Sequence, residues 1–237
     1  KVRVEDDFIT FEPAGLRPGT NVRRQGEIFR AGEVLLTAPR RLTRGDIGLA
    51  ASLGYAKLSC RPVVRAAVFS SGDELVEPSD GRPLSDGRIY NANGAYVTLA
   101  ARALGIDAEY AGILPVICSG GVGPGDCDFT AAVLNRLADL RHYHVALRPG
   151  KPFSFGYFKE AHTLILGLPG NPVASATSAE NFLRTAVEAL QGVHEKQLVL
   201  TARLEGRIKS RAGRRDIVRG VLKTAEDGTL LFTPCPQ

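Results

Sequence analysis

The chain has 237 residues, 44% hydrophobic and 23% charged, the balance of a soluble globular protein with a sizeable core, which excludes a disordered or fibrous chain. Its formal charge of +5 and pI of about 9.2 suit phosphate or other oxyanion ligands. It has neither an apolar run long enough for a bilayer nor a signal-peptide core, so no membrane contact is expected and the cytoplasm is the expected location.

Residues 1–26 read as strands and turns: "VRVEDDFITF" alternates, and "PAGLRPGTN" is turn chemistry. "GEVLL" follows as a short strand, and Thr43 with Asp46 forms a capping box that opens a helix closed by Gly54. From Pro62 the pattern changes. "PVVRAAVFS", "AEYAGILP", "VICSGG" and "TLILG" are apolar strands, separated by the helices "NANGAYVTLAARALG" and "VASATSAENFLRTAVEALQG". Such strands alternating with amphipathic helices predict an α/β fold, a central doubly wound and mostly parallel sheet over 62–192, flanked by small mixed and β domains. Residues 193–237 read as a small β module. The absence of methionine predicts that the chain starts inside a longer protein.

One junction conflicts with this topology. Neighbouring parallel strands at 108–114 and 116–118 need a crossover of a dozen or more residues, yet Pro115 alone separates them. An additional segment is therefore expected between about Leu114 and Ile117, with Cα spacings across it that depart from those of a continuous chain.

In an open α/β sheet, ligands bind beyond the carboxyl ends of the strands. The unusual loops all follow predicted strands: Ser70-Ser71-Gly72-Asp73-Glu74, Ser119-Gly120-Gly121 running on to Asp126 and Asp128, and Gly167-Leu168-Pro169-Gly170-Asn171-Pro172. Glycines there let backbone N–H groups approach an oxyanion. Arg148-Pro149-Gly150-Lys151-Pro152 adds two cations on a stiff loop, without Walker A spacing. Asp73, Glu74, Asp126 and Asp128 bring carboxylates to the same edge, as Mg²⁺ bridging to phosphate requires.

The cysteines Cys60, Cys118, Cys127 and Cys235 lack any C-x-x-C pair, so neither a disulfide framework nor a zinc site is expected. The basic stretch "RIKSRAGRRDIVRG" lacks interleaved aromatic residues, and no nucleic-acid partner is expected.

"FSSGDELVEP", "GRIYNANG", "SGGVGPGDCDF", "VALRPGKPFSFG" and "GLPGNPVAS", in this order, resemble the molybdopterin molybdenumtransferase family, the MoeA type that includes the gephyrin E domain. The resemblance covers nearly the whole chain. It implies insertion of molybdenum from molybdate into adenylylated molybdopterin, with Mg²⁺ and release of AMP, by a homodimer in contact with other cofactor-biosynthesis proteins. It also implies four parts: residues 1–26 as the end of a β domain, 27–61 as part of a mixed domain, 62–192 as the molybdopterin-binding domain, and 193–237 as an incomplete C-terminal β domain. Carried over by motif, Glu74, Asp128 and Asp73 are catalytic candidates, and Glu74, Asp128 and Asn91 metal candidates. Ser71, Gly72, Ser119, Gly120, Gly121, Arg148, Lys151, Pro169, Gly170 and Asn171 are candidates for holding the cofactor. Ile28 and Asn91 stand where the family usually has acids, and His144 where it commonly has a basic residue. A related adenylyltransferase and a catalytically weakened scaffold homologue are the alternative readings.

Overall fold

A computed structural model describes residues 2–11, 17–81, 83–114 and 139–235. Contacts divide the chain into two units, Lys1–Gly54 and Tyr55–Gln237.

In the first unit, β1 (Val2–Glu5) and β2 (Phe8–Phe11) form an antiparallel hairpin. Asp6 takes a left-handed conformation at its turn, with φ of 48°, which Asp tolerates better than most residues. Helix α1 (Arg44–Ser52) starts as its sequence dictates. Thr43 Oγ1 accepts from the Asp46 N–H at 3.3 Å, and Asp46 Oδ2 accepts from the Thr43 N–H at 2.8 Å, so two otherwise orphaned donors are satisfied reciprocally. Arg40 Nη2 pairs with Asp46 Oδ1 at 2.9 Å. Gly32–Leu36, expected as a strand, forms none. The described residues offer it no ladder partner, and an apolar run without one has no reason to stay extended.

The second unit carries the α/β architecture. Strands β3 (Arg65–Ser71) and β6 (Asp107–Leu114) pair in parallel, Arg65 opposite Asp107 and Ser71 opposite Leu114, with an irregularity between Val68 and Ser70. Their crossover contains β4 (Leu75–Val76), β5 (Ile89–Tyr90) and helix α2 (Ala92–Ala103). Gly94, Thr98 and Ala101 are the buried positions of α2, spaced three or four apart, so one face of the helix lies on the sheet. The core is Ala101, Leu104, Ile106, Ala108 and Val187, joined by Val64, Ala66 and Leu183. Three of these eight are alanines, Ala66, Ala101 and Ala108, which add little bulk between helix and strands.

Strands β7 (Asp139–His144), β9 (Pro152–Phe158) and β10 (Thr163–Gly167) form an antiparallel sheet ordered β10-β9-β7. The parallel reading missed this meander. Its signal was present in "PFSFGYF", an alternating aromatic run in which Ser154 and Gly156 are buried and Phe155 between them is exposed. The long helix expected after Asn171 runs as α3 (Pro172–Ser178), a π-helical turn at Ala179–Leu183 and α4 (Arg184–Gln191). Beyond it, β11 (Arg203–Leu204), β14 (Leu230–Pro234) and β13 (Gly220–Thr224) form a small sheet. Strand β12 (Arg215–Asp216) pairs in parallel with β8 (Leu147–Arg148), which ties the C-terminal segment to the α/β part. The expected additional segment near 114–117 and the third apolar strand lie outside the described residues.

Replacing Thr43 by Ala removes one cap bond and is expected to destabilise the first unit by about 1 kcal/mol in a denaturant titration. The Asp46 carboxyl is held below its ordinary value of 3.8, chiefly by the Thr43 backbone and side-chain hydrogen bonds. A depressed folded value means that this stabilisation is complete above the ordinary carboxylate range and fades as pH falls through it. The gap between wild type and Thr43→Ala should therefore shrink on acidification, which the same titration repeated at falling pH will read.

Candidate functional site

The loop after β3 carries the first candidates. Its base is stitched to the segment entering α2: the Ile89 N–H donates to Glu74 O at 2.9 Å, the Asn91 N–H to Val76 O at 2.9 Å, and Arg88 Nη1 to Asp73 O. Gly72 has φ of 147°, and the Glu74 carboxylate folds over it so closely that a Cβ there would meet Glu74 Oε2 at 2.6 Å. Only glycine admits both the backbone angle and that carboxylate position. Asp73 and Glu74 are exposed, and Ser71 lies at the end of the strand.

Asn91 has a different setting from the exposed carboxylates. It is 3% exposed and caps α2. Its Oδ1 accepts from the Gly94 N–H at 3.1 Å and from Ser70 Oγ at 3.0 Å. Its Nδ2 donates to Tyr110 OH at 2.6 Å and to Glu77 Oε1 at 3.2 Å, while Tyr110 OH itself donates to Glu77 Oε1. Both lone pairs of Oδ1 are thus occupied by protein donors, which leaves none for a cation. Neither Tyr110 nor Glu77 was among the sequence candidates. The available signal was a phenol within a strand, which seeks a polar partner for its hydroxyl when buried. Burial first, and then the hydrogen bond to Glu77, push the Tyr110 hydroxyl up to about 12.

Two residues on from Asn91, Asn93 turns the other way. Asn93 Nδ2 donates to Gly170 O at 2.7 Å, joining the start of α2 to the Leu168–Asn171 loop. Pro169 is buried in that loop, and Asn171 caps α3, with Oδ1 accepting from the N–H groups of Val173 at 3.0 Å and Ala174 at 3.2 Å. On the far side of α3 lies the basic loop: a Cβ on Gly150 would come within 2.7 Å of Ser178 Oγ and 3.6 Å of Ala174 O. Arg148 and Lys151 are exposed on this loop. Its ends are fixed by the backbone, with Val145 N–H donating to Lys151 O at 2.8 Å and Ile217 N–H to Arg148 O at 2.8 Å. The Arg148–Pro149 peptide is cis.

Asp216, paired in register with Arg148, accepts from Ser210 Oγ at 2.6 Å and lies 3.0 Å from Arg214 Nε. The Ser210 hydrogen bond, then the Arg211 N–H and the charges of Arg214 and Arg148, hold its carboxyl below the ordinary value of 3.8. Asp216 is therefore a counter-charge within a cationic neighbourhood. Contacts thus link the Ser71–Glu74 loop, the start of α2, the Leu168–Asn171 loop and the Arg148–Lys151 loop. Ser119, Gly120, Gly121, Asp126 and Asp128 lie outside the described residues, as do Cys118 and Cys127. Among the described residues, no three His, Cys, Asp or Glu side chains gather as a metal cage, Cys60 and Cys235 are free and exposed, and no helix is long and apolar enough to cross a membrane.

Comparison with known proteins fits this arrangement. Residues 2–54 match the "MoeA N-terminal region (domain I and II)", and residues 116–189 match the family described as "Probable molybdopterin binding domain". The molybdopterin molybdenumtransferase of Haemophilus influenzae is 35% identical across 95% of this chain and 60% of its own length. The chain belongs to the MoeA family. The molybdopterin molybdenumtransferase of Bacillus subtilis is 33% identical across 72% of the chain and 43% of its own length. Among solved structures, the molybdopterin biosynthesis MoeA protein from Pyrococcus horikosii superposes with a TM-score of 0.64 at 25% identity, over 84% of this chain and 51% of that one. A second structure of the Pyrococcus horikoshii protein gives 0.66 at 19% identity, a likeness of fold. The chain therefore spans about 60% of the length of the Haemophilus relative.

The Tyr110 cluster yields a pH signature for this MoeA chain. A phenol whose folded value is about 12, against an ordinary 10, stabilises the fold fully below pH 10 and loses that contribution as pH rises through 12. Tyr110→Phe should remove this alkaline fall and one late-ionising tyrosine from the ultraviolet titration. A tyrosinate titration unchanged by the substitution would show that Tyr110 ionises like an exposed tyrosine.

Proposed function

We propose that this chain supplies part of an enzyme that inserts molybdenum from molybdate into adenylylated molybdopterin and releases AMP. The observation that carries the reading is the chain of contacts from the Glu74 loop through Asn93 and Gly170 to the basic loop of Arg148 and Lys151. Carboxylates, backbone N–H groups and cations on one connected set of loops suit a phosphoanhydride ligand better than an apolar one. The names of the curated relatives point the same way.

Mg²⁺ takes one or two carboxylates together with substrate phosphates and keeps several waters. Glu74, exposed and folded back over Gly72, fits that habit, with Asp128 as its proposed companion. When bound, the metal would supply charge neutralisation at the bridging phosphates. Arg148 and Lys151 would hold the anionic groups and stabilise the charge that develops as AMP leaves, from a loop whose backbone is pinned at both ends. Ser71, Gly72, Ser119, Gly120, Gly121, Pro169, Gly170 and Asn171 would shape the pocket and orient the pterin and nucleotide. No protein nucleophile is required. A homodimer, contacts with other cofactor-biosynthesis proteins and a cytoplasmic setting belong to the same proposal.

A second reading, a cofactor-binding homologue with little turnover, is favoured by one observation. The two positions where the family resemblance implies acids hold Ile28, 55% exposed, and Asn91, whose oxygen is already engaged.

Incubating the full-length protein with adenylylated molybdopterin, Mg²⁺ and molybdate should release AMP and yield a metallated dithiolene. Glu74→Gln should lower the rate of AMP release by about a hundred-fold with the fold intact. Tight binding of the substrate without AMP release overturns the transferase reading in favour of the second.

A further inference from the structure

The amide of Asn91 can be oriented from chemistry alone. The Gly94 N–H can only donate, so the side-chain atom 3.1 Å from it must be the oxygen. The nitrogen therefore faces Glu77 and Tyr110, at 3.2 and 2.6 Å. A carboxylate at position 91 would keep both bonds made by the oxygen, to Gly94 and Ser70, because these need only an acceptor. It would lose both bonds made by the nitrogen. It would also set a second negative oxygen about where Nδ2 now lies, facing the Glu77 carboxylate.

Those nitrogen bonds sit where the Glu74 loop is fastened. Glu77 ends the short β4 region, whose partner β5 runs directly into Asn91. From Asp73 to Glu77, the loop is attached to residues 88–91 by Arg88 to Asp73 O, Ile89 N–H to Glu74 O, Asn91 N–H to Val76 O and Asn91 Nδ2 to Glu77. Tyr110 locks the last of these from the neighbouring strand β6. Asn91 itself is buried at this junction, so its amide depends on these partners, while Glu77 and Tyr110 are half-buried.

We propose that Asn91, together with Glu77 and Tyr110, is a positioning unit for the Glu74 loop: the amide, and not an acid, is the group required at position 91, and it acts on the reaction through Glu74 without touching metal or substrate. The part of this that concerns turnover rests on the transferase reading above; the part that concerns loop order does not. Glu77 is the partner that makes the amide necessary, and the pair can be exchanged. In Asn91→Asp/Glu77→Gln the acceptor and donor change sides, and the hydrogen bond is restored with one carboxylate in place of two.

Asn91→Asp keeps the helix cap and is expected to fold, with melting temperature as the control. In the full-length protein it should lower kcat for AMP release by about ten- to a hundred-fold, with KM for adenylylated molybdopterin within about two-fold of wild type, because the loop carrying Glu74 is displaced while the remaining loops are not. Asn91→Asp/Glu77→Gln should recover most of that loss. Hydrogen exchange gives a readout independent of activity: the amides of Ile89 and residue 91 should exchange faster in Asn91→Asp and return toward wild type in the double variant. Activity of Asn91→Asp at or above wild type, or a double variant no better than the single one, overturns the positioning unit. If wild type releases no AMP, the transferase reading fails, and hydrogen exchange alone then decides the inference: unchanged protection in Asn91→Asp overturns it.

Discussion

The buried amide of Asn91 is the joint on which the site end of the α/β unit depends. Its oxygen closes the first turn of α2 and receives Ser70 from β3, and its nitrogen reaches Tyr110 on β6 and Glu77 below the Glu74 loop. A single residue thus joins a helix start, the end of β3, the middle of β6 and one candidate loop. Because it is 3% exposed, each of these bonds replaces water that is not there. A buried polar group of this kind specifies geometry more than it adds stability, since any arrangement that leaves one of its atoms unpaired is costly.

Around that joint the polarity is layered. Acidic side chains stand exposed on the Ser71–Glu74 loop, while the cations Arg148 and Lys151 stand on a loop reached across α3. Asp216 and Arg214 then form a partly compensating pair beside Arg148. This arrangement keeps the exposed carboxylates and the exposed cations on different loops. In the core, Ala101 and Ala108 let α2 settle against β6, and the helix start reaches the loop after β10 through Asn93.

The elements most legible in the sequence were those with two independent local signals. Helix α1 had a capping box as well as a closing glycine, and α2 had helical spacing as well as an asparagine at its start. The strands β3, β6 and β10 were apolar and bounded by turn residues. The antiparallel meander was harder to see because β7, "DLRHYH", is polar, and because the "RPGK" motif between β8 and β9 drew attention to chemistry at a point where the chain is also entering a strand. At the site, exposed acids and bases announced themselves by type and position. Glu77 and Tyr110 did not, since their importance arises from a meeting between residues 33 apart in sequence. Asn91 was singled out by motif as a metal candidate, and the structure shows it capping a helix: an oxygen that can ligate a cation is equally an oxygen that can cap a helix, and the partners of Oδ1 are Gly94 and Ser70.

The pairing of β12 with β8 has a consequence for the order in which the molecule is made. Arg148 emerges from the ribosome well before Asp216, its partner in the ladder, and the Ile217 N–H that holds the Arg148 carbonyl follows later still. Domains fold in the order they are synthesised, and local contacts form before distant ones. The parallel strands β3 and β6, with α2 between them, are complete long before the basic loop has both of its anchors. A nascent chain therefore passes through a stage in which the scaffold stands and the basic loop is only half tied, and residues 215–217 supply its second anchor.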